Sequence, residues 1–464
     1  MGTLSRGMFS VLVANIIDLG FNLVTNFALP KYLPVESYAA IKTFTLMLSY
    51  AGVLHFGYED GMYLKYGGKQ KKDIDIEEWK VNISSLRIFQ LGISVCILIA
   101  GIYLNSDIIF MFSLVLLPYN MVMYYKQFYQ AIGEFKLYGY LMNITTVLLF
   151  AANMFFIVLG KKQYIWYLAA NNIMYFFIWC ILEVSIKRKI KTNLGCFIFS
   201  ARECWNNIRS GFLLMLGNFS SVILTSMDRW FVKFLLNTTA FAEYSFAVSL
   251  ENFINVAVTP ITVTLYNFFC QNKSIEKIKK IQEYVLLFAV AIITAAFPAK
   301  FILETWLTSY SESGNTMFLL FCGQLYFILV KSIYVNFYKA QKMQKKYFKK
   351  LIIVIGMGFV FNWIFYLIVP MMEAFALGTL LSAVLWLGLC QFDFKELFLG
   401  IQGNSYLCLE MILFLICGFY FNAVVGGCMY IIGSYILSII FMKNTVQELK
   451  QMIVTTIIRK NKNN

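Results

Sequence analysis

Asn15, Asp18, Asn22 and Asn26 fall at i, i+3, i+7 and i+11. On a helix of 3.6 residues per turn these positions form one continuous polar stripe. Asn218, Ser221, Thr225 and Arg229 repeat the spacing later in the chain. Both stripes lie in otherwise apolar stretches, where polar groups facing lipid are left unsatisfied, so each stripe should face protein or water. One reading is a polar seam binding helix to helix. The equivalent placement of the two stripes favours the other, the lining of a shared wet cavity.

Ionisable residues sharpen that choice. Asp18, Lys42, Asp228, Arg229, Glu251, Lys331, Glu373 and Glu410 all fall within apolar stretches. A charge at mid-bilayer costs roughly 2.5–3.5 kcal/mol on insertion scales, so each should be paired or line a cavity. Lys42 and Arg229, toward one side, and Lys331, toward the other, are the candidate contacts for an anion. Asn15, Asn22, Asn26, Asn218 and Thr225 supply hydrogen bonds beside them. Asp18, Asp228 and Glu251 are the candidates to hold a coupling H+ or Na+. Structural pairing, with Asp228 or Glu251 neutralising Arg229, is the competing reading. Glu373 and Glu410 read as interfacial, near helix ends.

Signs of enzymatic chemistry are sparse. The single histidine, His55, reads as a packing residue. No metal-ligand cluster, Gly-rich phosphate loop or G-x-S-x-G elbow occurs, and no cofactor is expected. Asp73 and Asp75 form a D-x-D pair, but Lys71, Lys72, Glu77 and Glu78 around them suggest a solvated face. The ten cysteines include no C-x-x-C and read as small buried thiols.

The elements that must position these residues are membrane spans. A spanning helix needs about 20 mostly apolar residues. Fourteen such stretches occur, at 8–29, 38–56, 86–104, 108–126, 138–160, 164–185, 211–235, 241–268, 284–303, 315–338, 351–369, 371–390, 405–422 and 425–442. The composition, 60% hydrophobic and 14% charged, lies far from that of a soluble domain. The chain begins inside its first span with no small-residue cleavage site behind it, so no removable signal peptide is expected. Lys and Arg crowd every second connection, as in Lys65–Lys80, Lys187–Lys191 and Lys342–Lys350. By the short-loop charge rule both termini face the cytoplasm. The net charge of +15 is therefore mainly a topology signal, with attraction to anionic membrane lipid as a secondary effect and no nucleic-acid partner expected. Pro118 and Pro298 fall inside spans four and nine, where a proline removes a backbone donor and can bend the helix, either to let bundles rock or as an ordinary packing kink.

An internal repeat organises the spans. Shifting the sequence by 203 residues places Arg6–Asn15 on Arg209–Asn218 and the first polar stripe on the second. The expected fold is an all-α polytopic membrane protein of about 14 transmembrane helices, with two six-helix lobes in parallel duplication. The expected segments are an N-terminal lobe at 1–191, a cytoplasmic amphipathic linker at 192–210 and a second lobe at 211–391. Two additional helices at 392–442 and a cytoplasmic tail at 443–464 complete it.

Several segments resemble the polysaccharide (O-antigen, repeat-unit) flippases, which share a superfamily with multidrug extruders and lipid II flippases. The resemblance lies in Ala28–Gly68 (ALPKYLPVESYAAIKTFTLMLSYAGVLHFGYEDGMYLKYGG), Tyr124–Ile144 (YYKQFYQAIGEFKLYGYLMNI), Gly211–Leu235 (GFLLMLGNFSSVILTSMDRWFVKFL) and Glu243–Ser249 (EYSFAVS). It implies two lobes forming a V, alternating access to a central cationic cavity, and location in the bacterial plasma membrane. It also implies the cargo, an oligosaccharide on an undecaprenyl diphosphate carrier, and a polysaccharide polymerase and glycosyltransferases as partners. The mixture of acids and bases here departs from a purely cationic cavity. A cation-coupled multidrug extruder of the same fold is the alternative. A membrane polymerase or glycosyltransferase fits less well, because no connection is long enough to hold a catalytic domain.

Overall fold

The computed structural model describes residues 2–67, 69, 73–190, 198–271 and 274–462. The side chains of 2–16, 187–190 and 452–462, and those of 135, 256, 263, 266, 267 and 271, lie outside the described residues. The described residues form helices and short connections, with no strand among them. They pack as two compact units, Met1–Ser226 and Met227–Asn464.

The first unit holds α1 (Gly2–Tyr32), α2 (Val35–Ser49), α3 (Tyr58–Tyr66), α4 (Ile76–Tyr103), α5 (Asp107–Ala131), α6 (Phe135–Val158) and α7 (Tyr164–Ile190). The next helix, α8 (Ala201–Leu235), starts in this unit and ends in the second. α5 is the axis of the first unit, packed against α2, α4, α6 and α7, while α1 lies along α6. Local signals set the ends. Asp75 caps α4 by accepting from the backbone N–H groups of Glu77 (3.0 Å) and Glu78 (3.3 Å), a contact worth about 1 kcal/mol. Ser106 does the same for α5, and the turn before it runs through Asn105 in a left-handed conformation (φ 49°).

The second unit holds the end of α8 and then α9 (Thr238–Gln271), α10 (Ile275–Ile293), α11 (Ala296–Thr305), α12 (Ser313–Leu329), α13 (Val335–Ala340), α14 (Gln344–Ile368) and α15 (Met372–Asp393). α16 (Gly400–Tyr420) and α17 (Ala423–Lys462) follow, α17 being kinked at Met442. Here α12 is the axis, packed against α9, α10, α15 and α16, and every residue from Thr316 to Leu329 is buried. Counted from α1 and α8, α5 and α12 each fall on the fourth expected span, and each packs against the second, third and sixth: α2, α4 and α7 for one, α9, α10 and α15 for the other.

Among the described residues eleven helices are long and apolar enough to cross a membrane, or twelve counting the bent pair Val35–Val53 and Tyr58–Tyr66. α1 and α9, partly outside the described side chains, add helices of 31 and 34 residues. The protein is thus a multi-pass membrane protein, and each expected span falls on a helix or a broken helix.

Four local expectations need correction. The stretch after span two, read as an open connection, contains α3, whose Tyr58, Glu59, Asp60, Met62 and Tyr66 are buried. Phe56 and Gly57 adopt positive φ (51° and 87°), so the chain turns by 56° and re-enters the packed interior. Glu410 is fully buried within α16 rather than interfacial, because α12 and α17 cover that face. Pro118 stays inside an unbroken α5, whereas Pro298 sits in the first turn of α11, just after the break from α10. The expected linker at 192–210 also runs without interruption into its span from Ala201 onward, and residues 191–197 lie outside the described set.

Candidate functional site

In the second unit, the last turns of α8 carry Asp228 into a dry environment, 5% exposed. Its Oδ2 accepts from the Tyr244 hydroxyl of α9 at 2.6 Å and from Thr379 Oγ1 of α15 at 3.2 Å. Its Oδ1 accepts from the Arg229 backbone N–H at 2.8 Å. Such charge-assisted bonds are about twice as strong as neutral ones. The neighbouring Arg229 is half-buried, with Nε enclosed and making no hydrogen bond. Its charge acts on Asp228 and also on Glu251, two turns beyond Tyr244 on α9.

Glu251 in turn accepts from Gln324 Nε2 of α12 and interacts with Lys331. Lys331 sits in a π-helical turn, Val330–Tyr334, between α12 and α13, with Nζ 5.3 Å from the centre of the Phe327 ring. Such turns often mark functional places, because one extra residue re-aims the side chains. The four ionisable residues Asp228, Arg229, Glu251 and Lys331 therefore form one connected group of two acids and two bases. It can hold an anion at the bases or a cation at the acids, and its formal charge balances.

The first unit distributes its polar residues differently. Asp18 Oδ1 accepts from Thr146 Oγ1 of α6 at 2.6 Å, and Lys126 of α5 acts on it electrostatically. Lys42 of α2 donates to Asn26 Oδ1 of α1 at 2.9 Å and lies 5.2 Å from the Tyr38 ring centre. Asn22 is exposed, and the Asn15 side chain lies outside the described residues. On α8, Asn218 donates to Asp60 Oδ1 of α3 at 3.0 Å. Thr225 is exposed and bonds back to the carbonyls of Ser221 and Val222 in its own helix. Asn26 with Lys42, and the four charges of the second unit, are thus brought together, while Asn22 and Thr225 meet no other candidate among the described residues.

Sequence reasoning missed three groups. Lys126, at the last position of the expected span 108–126, lies on α5 and interacts electrostatically with Asp18, and the helix runs five residues beyond it. Arg87 of α4 donates to Glu183 Oε1 of α7 at 2.8 Å, and Tyr125 and Trp179 donate to the same oxygen. Both residues stand at the edges of expected spans, which was the available signal. His55, Glu59 and Asp60 form a third buried group at the span-two break.

No sequence-family model matches the chain, and no curated protein matches it. Solved structures do. A lipid II flippase, MurJ, in an inward closed conformation, superposes with a TM-score of 0.63 at 14% identity, over 96% of this chain and 100% of that one. A eukaryotic MATE transporter, AtDTX14, gives 0.54 at 10% identity, over 87% of this chain and 99% of that one. A MATE protein in complex with MaD3S gives 0.52 at 14% identity, over 85% and 97%. At such identities the likeness is one of backbone, and what it establishes is that this chain has the all-helical fold shared by the lipid II flippase and the MATE transporters.

Proposed function

We propose that the chain is a flippase that moves an oligosaccharide, carried on a polyprenyl diphosphate, from the cytoplasmic to the outer leaflet for surface polysaccharide synthesis. It works in a bacterial plasma membrane with both termini cytoplasmic. The observation that carries this reading is the placing of bases inside apolar helices: Lys42 on the Asn26 amide, and Arg229 with an unbonded, enclosed Nε. A diphosphate needs positive groups in a low-dielectric surrounding, where attraction is strong, and sugars need amide and hydroxyl partners. The six-helix halves at 1–191 and 211–391 and the helix pair at 392–442 fit a flippase plan. The fold supports the reading by analogy alone, since one fold hosts many cargoes, so the weight rests on the residues named.

The test is export of lipid-linked glycan in a host lacking its own translocase. Arg229→Ala and Lys42→Ala should each lower export by about 10- to 100-fold, as loss of a contact of roughly 1.5–3 kcal/mol implies. Normal export by both variants at wild-type protein levels overturns the assignment. A second reading, a cation-coupled multidrug extruder, draws on Asp228 and Glu251, since acids in an apolar setting suit organic cations. It requires efflux of lipophilic cations that Glu251→Gln abolishes and Arg229→Ala spares.

A further inference from the structure

The group at the break in span two is unlike the others, because it holds two acids and no base beyond an imidazole. His55, Glu59 and Asp60 are 3%, 1% and 5% exposed. The Gly57 N–H donates to His55 Nδ1 at 3.1 Å, so in the neutral ring Nε2 carries the proton. That Nε2 lies 3.9 Å from Glu59 Oε2 and 3.8 Å from Asp60 Oδ2, between the two carboxyl groups. Glu59 Oε1 is enclosed and has no hydrogen-bond partner.

The surroundings supply dipoles and no counter-charge. From α5, Gln127 Nε2 reaches Glu59 Oε2 at 3.5 Å, and Tyr119 interacts electrostatically with Glu59. From α8, Asn218 donates to Asp60. From α4, Gln90 is turned to the Leu54 carbonyl and to Asn120. On α3 itself, Tyr58 donates to the Asn82 carbonyl and Lys65 is engaged by Glu78 and Glu203. Among the described residues no Lys or Arg pairs with Glu59 or Asp60. A buried charge without a partner costs several kcal/mol.

We propose that His55, Glu59 and Asp60 form a proton-binding site at the crossing of α3 and α8. With the ring neutral and both acids ionised the group carries charge −2. Each proton taken from water raises that by one, and two protons make it neutral. Occupancy is felt by α8, because Asn218 donates to Asp60 where the two backbones meet through glycine. A Cβ on Gly211 would overlap the Gly57 carbonyl oxygen and the Gly61 nitrogen. The contact is too close for side chains to buffer, so a changed charge on Asp60 acts directly on α8. Coupling of this site to a transport cycle rests on the function proposed above; the proton binding does not.

The experiment uses the full-length protein in lipid nanodiscs. Infrared difference spectra between mildly alkaline and mildly acidic pH should show a carboxyl group that protonates out of contact with water. Glu59→Gln should remove that signal, Asp60→Asn should remove or shift it, and each should reduce measured proton uptake by about one proton. A wild type without such a signal overturns the site with no variant needed. A signal unchanged in both Glu59→Gln and Asp60→Asn, or one that follows Na+ rather than pH, overturns it as well. If Glu59→Gln fails to fold, Asp60→Asn and His55→Gln carry the same comparison. None of these readouts involves transport, so their failure leaves the proposed cargo standing, and failure of the export test leaves the proton site standing.

Discussion

Asp228 gathers donors from three helices onto one carboxylate, and the Tyr244 hydroxyl at 2.6 Å is the shortest of them. Tyr244→Phe keeps the ring and deletes that donor, leaving a buried anion short of a partner. It should cost about 1.5–3 kcal/mol, the range for hydrogen bonds to charged groups, and lower the thermal midpoint in detergent. An unchanged midpoint would show that the hydroxyl adds little. The Arg87–Glu183 pair allows a stricter comparison, because Tyr125 and Trp179 share one carboxylate oxygen with Arg87 but bring it no charge. Arg87→Met alone should destabilise by about 3–5 kcal/mol, since it strands the acid, while Arg87→Met with Glu183→Gln together should recover much of that loss. Double-mutant thermal unfolding reads the difference, and additive losses would argue against a coupled pair.

At the scale of helices, the glycines of α3 and α8 decide how closely two elements approach. Gly211→Ala inserts a methyl group against the backbone of Gly57 and Gly61, where no rotamer can relieve it. Overpacking of this kind costs about 1–3 kcal/mol, and Gly57→Ala adds strain at φ 87°. Gly217→Ala, on the same helix with open space around it, is the control and should be neutral. Equal stability for Gly211→Ala and Gly217→Ala would contradict the close crossing. The contrast also shows what was legible in the sequence. Apolar length revealed the spans, because it is a property of one helix at a time. The fate of Glu59, Asp60 and Glu410 depends on what another helix places over them. Asn218 meets Asp60 across 158 positions of chain, and no local pattern encodes that meeting. The two-residue stretch of positive φ that folds α3 inward is equally invisible to a hydropathy window.

For the molecule as a whole, the proposed orientation of the spans rests on the charge in the connections. Lys162, in the turn between α6 and α7, and Lys345, at the start of α14, are both exposed and should lie on opposite faces of the membrane. In a cysteine-free background, Lys162→Cys should react with an impermeant maleimide added outside intact cells. Lys345→Cys should react only after the cells are opened. The reverse result would invert the topology and, with it, the direction of the proposed transport.

The π-helical turn at Val330–Tyr334 carries a last consequence. Such a turn accommodates one residue more than an α-helix requires, so the chain there holds a spare position. Losing a residue anywhere else along α12 would spin everything downstream by about 100° and misalign each buried face. Losing one inside this turn would let the backbone close into ordinary α-geometry, with the flanking helices still in register and the displacement confined to the turn, where Lys331 would swing away from Glu251. A one-codon deletion here is therefore a clean way to retune this charge pair without disturbing the scaffold around it.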